Sequence, residues 1–173
     1  MTATTTLTGE RADLLAALTQ SRHFLRHTTR DLTDEQAARR TTVSELCLGG
    51  LIKHVTATER SWTDFILNGP AQDFDTMTEA DFAKWTDAFR MLPGETLAGL
   101  LDTYAEVARR TDELLAILPD LDIAHPLPQA PWNEPGTTWT ARRVLTHIIA
   151  ETAQHAGHAD IIRESLDGAK SMG

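Results

Sequence analysis

The stretch HIIAETAQHAGHADIIRE, His147 to Glu164, decides how the rest of the chain is read. It lies inside a pattern running from about Ala141 to Leu166. At ~100° per residue, with Val144 at zero, Ile148, Thr152, Ala159, Ile162 and Leu166 fall on one stripe. That periodicity predicts a long amphipathic helix. Thr138 or Thr140 can cap its start, and Asp167-Gly168 ends it. The same face also carries His147, Glu151, His155 and His158, at steps of four, four and three. On the wheel His155 falls at about 20°, within the stripe, and Glu151, His158 and His147 fall at about 340°, 320° and 300°. Gly157 lacks a side chain, a cost of ~1 kcal/mol in helix propensity that close approach of a chain or ligand would offset.

A second helix is predicted from about Glu45 to Leu67, with Ser44 as its cap and Asn68-Gly69-Pro70 as its stop. Leu48, Leu51, Ile52, Val55, Trp62 and Ile66 form its apolar stripe. Glu59 lies inside that stripe and His54 on its flank. Two further long helices are predicted at about Gly9–Arg30, with Thr8 as cap, and about Glu95–Leu118. A short one covers Glu79–Phe89. LDIAHPLPQAPWNEPGTTW, before the last helix, holds Pro126, Pro128, Pro131 and Pro135, which forbid a helix there. It reads as a long ordered loop, because Trp132 and Trp139 want cover. No stretch reads as a buried strand. The expected fold is all-α: a four-helix bundle with a long Pro-rich crossover loop before the last helix. Residues 1–10 form a flexible tail and residues 11–173 one domain.

Burying imidazoles and carboxylates without partners costs several kcal/mol or shifts their pKa until they neutralise. They can hydrogen-bond each other, line a wet cavity, or hold a cation through imidazole lone pairs and carboxylate charge. Glu151 and His155 can offer two atoms to one metal, and His54 is the best third ligand. Two histidines and a carboxylate leave a position open on zinc, the first candidate, or nickel. His158 is a fourth ligand, a support behind the ligands or a substrate contact. Glu59 can accept from the far nitrogen of a ligand histidine. His23 and His27 point away from their helix's stripe and read as exposed. His125 is left open.

Other chemistries fit less well. The zincin pattern HExxH is absent. Di-iron bundles want Glu-x-x-His on two helices. There is no G-x-S-x-G turn and no Gly-rich phosphate loop. The lone Cys47 allows no internal disulfide and reads as buried and inert. The net charge of −9 disfavours nucleic acid and anionic membrane surfaces. The polar N-terminus is unlike a signal peptide and no apolar run reaches membrane length, so the expected compartment is the cytoplasm.

SELCLGGLIKHVTATERSW and HIIAETAQHAGHADIIRE, about a hundred residues apart, resemble the DinB-like superfamily. More narrowly, they resemble its actinobacterial branch, related to the N-terminal domain of mycothiol-dependent maleylpyruvate isomerase. The resemblance covers nearly the whole chain after the first ten residues. It implies a four-helix bundle holding a divalent metal through a second-helix histidine, here His54, and a pair four apart on the last helix, here Glu151 and His155. Many members read H-R-G-Q at the last ligand, whereas this chain reads H-A-G-H from His155 to His158.

The resemblance further implies a cytosolic metal-dependent S-transferase that activates mycothiol or a similar low-molecular-weight thiol for attack on an electrophilic small molecule. His158 and Glu59 would orient the ligands or move protons, and Trp132 and Trp139 would cover the pocket. The alternative is a non-catalytic small-molecule-binding or stress-response bundle with a structural metal or none. A homodimer is expected from the general tendency of exposed helix faces to associate with two-fold symmetry.

Overall fold

The computed structural model describes residues 7–171. Among them six α-helices follow in chain order: α1 (Gly9–His27), α2 (Asp34–Ala38), α3 (Leu48–Asn68), α4 (Glu79–Asp87), α5 (Leu97–Ile117) and α6 (Ala141–Asp167). Two three-residue strands, β1 (Ala124–Pro126) and β2 (Thr138–Thr140), precede α6. Residues 1–6 of the expected tail lie outside the described residues, and Gly9 and Glu10 already belong to α1.

The four long helices make the expected bundle. α1 packs on α6 and α5, and α3 packs on α5 and α6. Helices consecutive along the chain, α1 and α3 or α5 and α6, therefore sit on diagonals of the bundle. A diagonal step needs a long connection, which accounts for the extended segments before α3 and α6.

The core has two apolar layers with a polar waist. One layer holds Leu18, Phe65, Ile66, Leu114, Leu145 and Ile148. The other holds Leu25, Leu51, Ile52, Val55, Tyr104 and Ile162. Between them Arg22, Glu59, Thr63, Thr111 and Thr152 are buried. The Arg22 guanidinium donates to both Glu59 oxygens and to Asp112. Thr63 and Thr111 hydroxyls share a hydrogen bond of 3.2 Å. These pairings satisfy groups that would otherwise be expensive to bury.

Four local features depart from the sequence expectation. α3 starts three residues later than predicted, and Cys47 rather than Ser44 caps it, its buried Sγ accepting from the Gly50 amide. Tight packing fixes that start: a Cβ on Gly50 would sit 2.0 Å from the Phe89 carbonyl oxygen, and one on Gly49 2.2 Å from Met91 Sδ. Thr8 stands at the α1 N-cap position without a capping hydrogen bond. α2 was not anticipated; its capping box joins Thr33 and Gln36. The Pro-rich loop contains the antiparallel β1–β2 ladder, with His125 opposite Trp139. Pro126 is tolerated because it ends its strand.

Thr140 caps α6, and Gly168 closes it at φ 79°. The His125 ring nitrogen Nε2 lies 3.2 Å from the Ile66 carbonyl, pinning the ladder to the end of α3. His23 is exposed and stacks with half-buried His27 at 5.7 Å between ring centroids. No helix among the described residues is long and apolar enough to cross a membrane.

Candidate metal centre

α3 and α6 run antiparallel, so His54 meets Glu151 and His155, while Trp62, eight residues later on α3, meets His147, eight residues before His155 on α6. Ligand atoms of His54, Glu151 and His155 all lie within 4.8 Å of one another. Glu151 Oε2 is 4.0 Å from His54 Nε2 and 3.5 Å from His155 Nε2. Both imidazoles are 12% exposed, and the carboxylate between them is 29% exposed, so the cluster opens on the Glu151 side.

Electrostatics favour a cation at this point. Burial, with the neighbouring His155 adding to it, pushes the His54 pKa down to about 4. Burial also lowers the His155 value, against the pull of Glu151 and with a smaller push from His158. Both rings are thus held neutral, with lone pairs available, beside a carboxylate that no Lys or Arg neutralises among the described residues. Two neutral nitrogens and one anionic oxygen form a donor set suited to a divalent ion. A zinc ion with bonds of ~2.0–2.2 Å sets its ligand atoms ~3.3–3.6 Å apart. The 3.5 Å separation already lies in that range, the 4.0 Å one needs a small contraction, and the widest of the set, within 4.8 Å, closes by about an ångström through side-chain rotation. The residues fit the group.

His158 stands behind His155, with 3.3 Å between the two Nδ1 atoms. A His155 ring that offers Nε2 to a metal carries its proton on Nδ1, where His158 can accept it. His158 would fill the place that a carboxylate, backbone carbonyl or water ordinarily takes behind a ligand histidine.

Glu59 is not brought to this cluster. Its side chain is fully buried and both oxygens are taken by Arg22, at 2.5 and 3.2 Å. The role expected for it, accepting from a ligand histidine, is replaced by a charge pair inside the core. His147 is half-buried, edge-on to both Trp62 and Trp139 at 4.9 and 5.1 Å. Its pKa is lowered by burial and, more weakly, by Arg143, while Glu151 pulls the other way. Trp139 stacks on Trp62 at 4.9 Å, under the Arg143 guanidinium at 4.2 Å, and so reaches the centre only through His147. Trp132 stands apart, against Phe74 and Trp85. A Cβ on Gly157 would meet nothing within 4 Å, so no close neighbour within the chain accounts for that glycine.

One residue of the site had no signal in the sequence. Phe89, just after α4, stacks flat on His54 with centroids 4.0 Å apart and planes at 21°. Gly50 of α3 admits the Phe89 backbone and so brings the ring there. Lys53 reinforces the contact by donating to the Arg90 carbonyl and pairing with Glu95 at 2.7 Å.

A diagonal four-helix bundle with an open His–Glu–His set between two of its helices places the protein among the DinB-like bundles. The chain belongs to the mycothiol-S-transferase family, whose model matches residues 13–168. Two solved structures share the fold. YfiT from Bacillus subtilis, described as a probable metal-dependent hydrolase with an unusual four-helix bundle topology, aligns with a TM-score of 0.64 and 14% identity, over 94% of this chain and 91% of its own. A conserved protein from Enterococcus faecalis aligns with a TM-score of 0.66 and 13% identity, over 94% of this chain and 100% of its own. None of the curated proteins compared with the chain matches it.

Proposed function

We propose that the protein is a metal-dependent S-transferase that joins mycothiol, or a closely similar thiol, to an electrophilic carbon of a small molecule in the cytoplasm. The observation that carries this reading is the convergence of His54, Glu151 and His155 to within 4.8 Å at a half-open position. These three side chains would hold the cation, with zinc first among candidates and nickel second. When bound, a divalent cation makes a coordinated thiol far more acidic, so that it is a thiolate at neutral pH.

The chain's own residues then have separate tasks. Glu151 supplies the negative charge of the ligand set and lies on its open side. His158 holds the His155 tautomer through Nδ1. Phe89 covers the face of His54 and keeps water from one flank. The S–H proton leaves to solvent or a nearby base first, and the thiolate sulfur then forms the C–S bond. The electrophile releases its leaving group or, in an addition, takes a proton on the adjacent carbon. A two-fold dimer belongs to the same reading, supported by the exposed aromatic side chains Phe82, Trp85 and Trp132.

The test is conjugation of mycothiol to a panel of electrophiles by purified metallated protein beside His155→Ala. Turnover should fall at least about a hundredfold in the variant, the scale expected on losing a metal-site residue. Equal turnover in both proteins would overturn the proposal.

A further inference from the structure

A cleft of about 800 Å³ runs along α3, starting at Ala57, one turn beyond His54, and passing Ser61 and Trp62. The facing wall comes from the chain just after α3 and from Pro128 of the hairpin loop. The volume lies within the ~300–1,000 Å³ of ordinary small-molecule sites. Trp62 lies eight residues from His54, ~12 Å along the helix at 1.5 Å per residue.

The lining is specific in its chemistry. Trp62, backed by Trp139, offers an indole. The same lining carries a cation, an anion and an amide: Arg60, Asp64 and Asn68. Arg60 and Asp64 are one helical turn apart and do not pair with each other. All three are exposed, and a small apolar electrophile would make use of none of them. A polyhydroxylated ring satisfies them, its hydroxyls donating to Asp64 and accepting from Arg60 and Asn68 while its C–H face lies on the indole.

We infer that this cleft binds the sugar-like end of the thiol, the amino sugar joined to inositol in mycothiol, with Trp62 as its platform. The inference rests on the thiol-transfer reading and assigns the two ends of the co-substrate to two places: sulfur at the His54–Glu151–His155 centre, rings in the α3 cleft. Trp62, Asp64 and Asn68 set thiol specificity without touching the reacting atoms.

The test uses the full chain and a glucosaminyl-inositol probe that lacks the cysteinyl arm and so has no sulfur. Calorimetric titration should show the probe binding both with metal and after chelation, and competing with mycothiol but not with the electrophile. Trp62→Ala should weaken probe binding and raise the mycothiol KM about tenfold, equivalent to one aromatic contact, with the electrophile KM and metal content unchanged. Trp62 also packs in the bundle, so Asp64→Ala with Asn68→Ala at the exposed rim provides a second route that spares the core. An unchanged mycothiol KM in both variants, or a rise in the electrophile KM instead, overturns the cleft assignment while thiol transfer stands. Probe binding lost in Trp62→Ala, in a protein that conjugates no thiol, keeps the cleft and overturns the transfer reading.

Discussion

Two clusters of ionisable side chains lie side by side in this bundle and differ in whether they close on themselves. In the waist, Glu59 meets Arg22, and the remaining guanidinium hydrogen bond goes to Asp112. The buried Arg22 and Glu59 charges cancel, Asp112 lies at the exposed edge, and each carboxylate oxygen of Glu59 has a donor. Beneath Phe89, Glu151 meets two imidazoles that burial keeps neutral. There, charge is unbalanced, lone pairs converge, and one side is open. On a helical wheel the clusters look alike: a carboxylate in or beside an apolar stripe. The first is complete as protein, and the second, on the proposed reading, is completed by a cation.

That contrast is broken most severely at Glu59. Glu59→Ala leaves the Arg22 charge buried without its main partner, which costs about 3–5 kcal/mol. Urea denaturation should show that loss, whereas elemental analysis of the folded fraction should show metal content unchanged. Loss of metal with little loss of stability would mean that Glu59 serves the centre after all.

His158 sharpens the comparison at the other cluster. Removing a hydrogen-bond partner of a ligand histidine typically weakens metal affinity 10–100-fold. His158→Ala should show a weakening of that order in a chelator competition, with stability held. His158→Gln, which retains an acceptor, should recover part of it. An affinity unmoved in both variants would make His158 a bystander.

The smallest effect is expected at Tyr104, beside the waist. Its hydroxyl is buried without a completed hydrogen bond. Burial, and then the Glu59 charge, raise its pKa above the ordinary value of 10. The folded state thus favours the neutral phenol. That contribution is fully present below about pH 10, where the unfolded phenol is also protonated, and is lost as pH rises further towards the folded value. Urea midpoints of the wild type should therefore fall faster above pH 10 than those of Tyr104→Phe. Parallel slopes would contradict this assignment.

Much of the frame was legible in the sequence because it depends on helical periodicity. The stripes of α3 and α6, the glycine stops at Gly69 and Gly168, and the pairing of Glu151 with His155 follow from spacing along single helices, whereas His54 joined that pair as the best third ligand from another helix, the position the family resemblance also implied. Glu59 was misplaced because a wheel gives the direction of a side chain but not its partner. Arg22, on a helix 37 positions earlier, sits among polar residues that look exposed. Phe89 was invisible because its contact depends on a close backbone approach at Gly50, a tertiary fact. α2 did carry a local signal, Thr33 followed by Gln36 three residues later, the spacing of a capping box. The β1–β2 ladder is too short for alternation to reveal, and its prolines argued against it.

The central claim is that the α3–α6 cluster, and not the waist, holds a divalent ion. Elemental analysis of the purified protein, beside His54→Ala and Glu59→Ala, tests it most directly. The account predicts one tightly held divalent ion per chain in the wild type and in Glu59→Ala, and none in His54→Ala. A folded wild-type protein that takes up no divalent metal when supplied with it, or His54→Ala retaining a full complement, would contradict it.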